Sequence, residues 1–131
     1  MQYSITVNNA RLDTIESTTG VSPILTIRTG AAPANCAAAN TGTVLSTVTL
    51  PSDWMANASA GSKAKLGTWQ QPAAAASGTA AHFRIHDSGG TNCHLQGTVG
   101  LSASDMIVDS VQFTAGQSFT INTFTITAGN Q

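Results

Sequence analysis

Apolar residues recur along this chain with a period of two, in short runs that stop at Gly, Pro or Asn. That period belongs to strands, whose successive side chains point to opposite faces. A chain patterned this way buries alternate residues by stacking sheets or closing a barrel. Pro23 opens Ile24-Leu25-Thr26-Ile27-Arg28, closed by Gly30, which reads as a strand buried on both faces. Thr43 to Leu50 alternates: Val44, Ser46, Val48 and Leu50 lie on one side, Leu45, Thr47 and Thr49 on the other. Pro51 ends it, because proline cannot donate to a ladder.

The clearest pair runs from Thr79 to Asp87 and from Thr91 to Val99, joined by the turn Asp87-Ser88-Gly89-Gly90. On its first arm Phe83 and Ile85 face one way. His82, Arg84 and His86 face the other, and that side is expected to be a polar outward face. Asp105 to Val111 gives a further strand, and Ala115-Gly116-Gln117 a turn. In Ser118 to Thr127, Phe119 and Ile121 share one parity, Phe124 and Ile126 the opposite one. A one-residue slip reverses the faces. A β-bulge near Asn122-Thr123, or a crossing between two sheets, is expected.

Lys63 to Trp69 reads as a strand carrying Leu66 and Trp69. Ala31 to Thr41 and Pro72 to Ser77 are Ala-rich, without a helical stripe, and read as connections. One short helix is expected near the start, with Asn8 or Asn9 as N-cap, Leu12 and Ile15 on one face, and Gly20 ending it. The expected fold is all-β: a single-domain β-sandwich, jelly-roll-like, of seven or eight short strands plus that N-terminal helix, spanning residues 1–131.

Charged residues make up 8% of the 131 residues, against about a quarter in an ordinary soluble domain. Five Lys/Arg and six Asp/Glu leave a formal net charge of −1, so no basic face for nucleic acid is expected. Lys63 and Lys65 are the nearest approach to a basic cluster. No run of about 18 apolar residues suggests a membrane span. MQYSITVNNARLD has no basic n-region before an apolar core, so no secretory signal is expected. Cys36 and Cys93 would remain thiols in a reducing cytosol; the alternative is a disulfide between them. A surface this poor in charge is weakly protected against association, and suits a protein that works in an assembly.

Residues capable of chemistry are present without a recognisable context. His82 and His86, with His94 across the hairpin and Cys93 beside it, could approach a metal, but Cys93 and His94 alternate in facing, so no metal site is expected. Asp105 and Asp109 would share a strand face, a weak glycosidase signal. No nucleophile elbow, Walker A or dinucleotide fingerprint occurs. Asn57-Ala58-Ser59 matches the glycosylation pattern by chance. Trp54, Trp69 and Tyr3 could form a sugar platform, and read better as isolated packing anchors.

The stretches NARLDTIEST, SPILTIRTGAAPA, LPSDWMANASAGSK, GTAAHFRIHDSGGT, QGTVG and AGQSFTINTFTITAGN together resemble small β proteins encoded among the virion structural genes of tailed bacteriophages. The likeness covers nearly the whole chain and rests on turns and strand patterns, which specify fold more than activity. It implies a structural, non-enzymatic role in the virion, without catalytic residues, cofactor or metal. The expected role is a capsid decoration or cement protein that contacts the major capsid protein and copies of itself, assembled in the host bacterial cytoplasm. Met1 to Asn9 and the Trp54-Met55 loop are the expected contact segments. The alternatives are a tail, neck or fibre-base component, a carbohydrate-binding module using Trp54 or Trp69, and a small hydrolase using His86.

Overall fold

A computed structural model describes residues 1–129; Asn130, which ends the last of the resembling stretches, and Gln131 lie outside the described residues. Helix α1 spans Ile5–Thr19. Ten strands come after it among the described residues: β1 (Ile24–Arg28), β2 (Val44–Thr49), β3 (Ser62–Ala64), β4 (Gln70–Gln71), β5 (Gly78–Thr79), β6 (His82–His86), β7 (Cys93–Gly100), β8 (Met106–Val108), β9 (Gln112–Phe113) and β10 (Phe119–Thr127). The fold is mostly β with one helix, as expected.

Seven strands form one hydrogen-bonded path, β2-β1-β6-β7-β8-β10-β3, with β4 also paired to β10; β5 and β9 form a separate ribbon. The path curls into a half-barrel. Ala75, just beyond β4, donates its N–H to the Leu45 carbonyl of β2 at 2.8 Å, so the two arms of the curl approach each other. Inside the curl, rings run in contact from Trp54 to Trp69 (6.0 Å between centroids), Trp69 to Phe124 (5.4 Å) and Phe124 to Phe83 (5.5 Å, edge-on). Leu25, Ile27, Leu45, Ile85, Met106 and Ile121 complete a core that excludes water from each of them.

The parity switch in the last strand is a bulge. Ile121 pairs with Val108 and Thr123 with Ile107, so Asn122 is the extra residue. Asn122 and Thr123 are both exposed, while Phe119, Ile121 and Phe124 all face the core. The 79–99 hairpin also forms as expected, with β6 and β7 antiparallel. Gly97 of β7 is needed there: a Cβ would lie 2.7 Å from Asp105 Oδ2 and 2.9 Å from Phe83.

Several local expectations are corrected. The helix begins a turn earlier than Asn8 because Ser4 is its cap, accepting the Val7 N–H at 3.3 Å. Gly20 ends it at φ 89°, as expected. The expected Lys63–Trp69 strand shrinks to β3; Leu66 is exposed and only Trp69 enters the core. Lys63 and Lys65 make no basic cluster, since Lys63 is 1% exposed. Its ammonium donates to Asp13 Oδ1 at 2.8 Å and the Ala56 carbonyl at 2.9 Å, and pairs with Glu16 Oε2 at 2.9 Å.

That ion cluster docks the helix. Asn9, Asp13 and Glu16 recur at helical spacing on one face. They accept the backbone N–H groups of Gly61, Ala58 and Met55 respectively. The Lys63 bond and the Ala58 N–H hold the Asp13 carboxyl below its ordinary pKa, so this stabilisation is complete above the usual aspartate range and is lost as pH falls through the lowered value. Lys63→Met should cost about 2 kcal/mol by urea denaturation, less than a fully buried pair because Asp13 keeps contact with water. The variant should also lose stability less steeply than the parent between pH 5 and 2; identical acid limbs would refute the role of the pair.

Candidate functional site

His82, Arg84 and His86 alternate along β6 with Phe83 and Ile85, as the pattern requires. Both faces are buried, however, and Arg84 is 1% exposed. The expectation of an outward polar face is therefore overturned: the segment from Gly30 to Thr41 lies over it. This segment is a connection, as expected, but it is pinned rather than free. Gln96 Nε2 donates to the Pro33 carbonyl at 2.7 Å, and a His82 ring nitrogen lies 2.7 Å from the Gly30 carbonyl. Cys36 is joined to Cys93 of β7 by a disulfide, with Cα atoms 5.2 Å apart. The expectation of two thiols is thus corrected by a pairing that sequence, with a separation of 57 residues, does not reveal.

Arg84 stands at the centre. Nη1 donates to the Ala38 carbonyl (3.1 Å) and Asn40 Oδ1 (2.6 Å); Nη2 donates to the carbonyls of Cys36 (2.7 Å) and Asn35 (3.4 Å). A covered loop must satisfy its own carbonyls, and one guanidinium serves three of them together with an amide oxygen. Register places the neighbours: Thr26 of β1 and Gln96 of β7 flank Arg84, Arg28 pairs with His82, and Cys93 pairs with His86. Arg28, whose role the sequence did not signal, donates to Thr26 Oγ1 at 3.2 Å and to the Thr41 carbonyl at 3.4 Å. Burial and the nearby Arg84 charge depress its pKa.

Among the described residues no Asp or Glu forms an ion pair or hydrogen bond with Arg28, Arg84, His82 or His86. Asp87, the acid nearest in sequence, is committed to its turn: it accepts the N–H groups of Thr91 and Asn92 and the Asn92 side-chain amide. Burial first, then Arg84 and Arg28, push the His86 imidazole down, and Asp87 only partly opposes them. His86 is consequently neutral at neutral pH.

The other residues capable of chemistry do not join this cluster. His94 faces a groove against Thr14, Ile15 and Thr18 of α1, away from Cys93. No group of three or more His, Cys, Asp or Glu is placed to hold a metal among the described residues. Asp105 clamps a loop, accepting the Thr98 N–H at 2.8 Å and hydroxyl at 2.9 Å, while Asp109 is exposed beyond β8. Trp54 and Trp69 are fully buried, with indole N–H groups donating to the carbonyls of Gly20 and Leu66, so they are packing anchors. Tyr3 lies under the Arg11 guanidinium, 4.7 Å from its ring centroid. Asn57 is exposed.

No family model, curated protein or solved structure matches this chain.

The cluster can hold a loop and present a positive field. Reduction of the disulfide should cost up to about 4 kcal/mol in the chain-entropy picture. Calorimetry with and without a phosphine reductant reads that loss, and alkylation of the untreated protein should label neither cysteine. Because the folded-state pKa of His86 is lowered, the unfolded chain takes up its proton first as pH falls. Stability should decline below the ordinary histidine range until the lowered value is passed. His86→Asn should flatten that segment of the profile, and a parallel profile would exclude His86 as its source.

Proposed function

We propose that this chain is a structural, non-enzymatic protein of a tailed-bacteriophage particle, a capsid decoration or cement protein that clamps neighbouring subunits of the shell. The resemblance of its turns and strands to small virion β proteins supports the reading. The observation that carries it is the fate of the charges. Arg28, Lys63 and Arg84 are buried, three of five Lys/Arg in the sequence. The surface is therefore poorer in cations than composition suggests, retaining Arg11 and Lys65. With a formal net charge of only −1 for the whole chain, mutual repulsion between copies is weak.

The contact segment in this reading is the N-terminal one. Met1, Ile5 and Val7 are exposed, at 100%, 46% and 44%. The Trp54-Met55 loop, the other expected contact, is withdrawn as a candidate because both side chains are buried in this chain's own core. The same burial removes the support for a sugar platform. On this reading the partners are the major capsid protein and further copies of the chain, and assembly takes place in the host cytoplasm. The curled sheet with its two arms approaching each other is then a sandwich of jelly-roll-like type, a shape suited to tiling a shell.

Quantitative gels or cryo-EM of purified particles should find this chain in copy numbers comparable to the capsid protein. A handful of copies, or a ring of six or twelve, would move it to the tail or neck. Val7→Asp should lower occupancy on the particle severalfold while leaving the melting temperature of the free protein within the small range of surface substitutions.

A further inference from the structure

The pinned loop does not close completely over the hairpin. A groove of about 230 Å³ remains, lined by Asn40, Arg84, His86, Thr91 and the Cys36–Cys93 bridge. A water molecule's share of liquid volume is about 30 Å³, so the groove has room for a five-atom ion with solvent. Two permanent cations and two imidazoles crowd the adjoining sheet face. Carbonyl dipoles satisfy the Nη hydrogens of Arg84 without cancelling its charge. Buried charges are ordinarily paired, and here no described residue pairs a carboxylate with Arg84 or Arg28. The Arg84 Nε–H is buried and has no acceptor. The His86 ring makes no hydrogen bond among the described residues, although 6% of the residue is exposed.

We propose that this groove binds a small oxyanion, phosphate, sulfate or carboxylate, with His86 as its hydrogen-bonding ligand and the Arg84 charge in its wall. The ion supplies the missing negative charge to Arg84 and Arg28. It accepts from the N–H of the His86 ring, with the Thr91 hydroxyl at the rim and the Arg84 charge in the wall behind. Low local dielectric strengthens these charge-assisted bonds. Asp87, held in its own turn, opposes this field only in part. The inference does not depend on a place in a phage particle.

The test is a titration of the isotope-labelled full chain with sodium phosphate, sulfate and acetate, each at constant ionic strength against chloride. Proton–nitrogen spectra would follow the Arg84 Nε–H and the amides of residues 36–40. A saturable shift at these positions is expected, with a dissociation constant on the order of 1 mM, and none with chloride alone. Saturation by acetate only assigns a carboxylate; saturation by phosphate or sulfate only assigns a tetrahedral ion. Arg84 also holds the loop, so His86→Asn is the variant tested. It should bind about tenfold more weakly, the scale of one charge-assisted hydrogen bond. Linear shifts shared with chloride, or unchanged affinity in His86→Asn, would overturn the proposal.

Discussion

One guanidinium decides whether this sheet has a second side. The segment over β6 is rich in alanine and carries neither helix nor strand. Alone it offers little apolar area to bury and several carbonyls that need donors. Arg84 resolves both problems. It donates to two carbonyls, Cys36 and Ala38, within ordinary hydrogen-bond distance, to the Asn35 carbonyl at longer range, and to the Asn40 side chain. The loop is thereby ordered without secondary structure. Arg28, Gln96 and the disulfide extend the same attachment along its length. Removing Arg84 would take away the donor shared by these acceptors and with it the loop's central attachment to the sheet.

The elements legible in the sequence were those whose cause is local. The hairpin arises from its turn residues, and strand β1 from an apolar run bounded by Pro23 and Gly30. The bulge at Asn122 is a matter of parity: Phe119 and Ile121 cannot share a face with Phe124 in a regular strand. The misread elements depend on distant partners. Alternation correctly set His82, Arg84 and His86 apart from Phe83 and Ile85. It could not tell solvent from a loop that lies 44 residues away at Asn40. Lys63 had the same ambiguity, because Asp13 lies 50 residues earlier. The disulfide is only an alternative in the sequence, since spacing carries no distance.

Low charge in the sequence suggested an undercharged surface for which neighbours must compensate. The structure changes the balance inside that statement. The interior holds three basic residues, each bonded to backbone, amide, hydroxyl or acidic oxygen atoms, with Arg84 Nε alone left without an acceptor among the described residues. Basic residues here act as joints between the sheet and the two segments that cover it, Lys63 for the helix and Arg84 for the loop. A joint of this kind is directional. It fixes orientation more narrowly than an apolar contact of equal area, although a cation must be desolvated to make it.

The docking of the helix determines which of its side chains remain outside. An ordinary surface helix turns its apolar stripe inward and its polar face to water. Here Asn9, Asp13 and Glu16 point inward to the backbone N–H groups of residues 55–61 and to Lys63, with Leu12 as the main apolar contribution. Ile5 and Val7 are left outside, next to an exposed Met1. Polar docking and apolar exposure are the same fact seen from two sides, because a helix that turns its carboxylates to the sheet has fewer left for solvent. Singly exposed apolar residues need no explanation. The exposure of Met1, Ile5 and Val7 beside a polar docking face is what the proposed contact with a neighbouring subunit rests on.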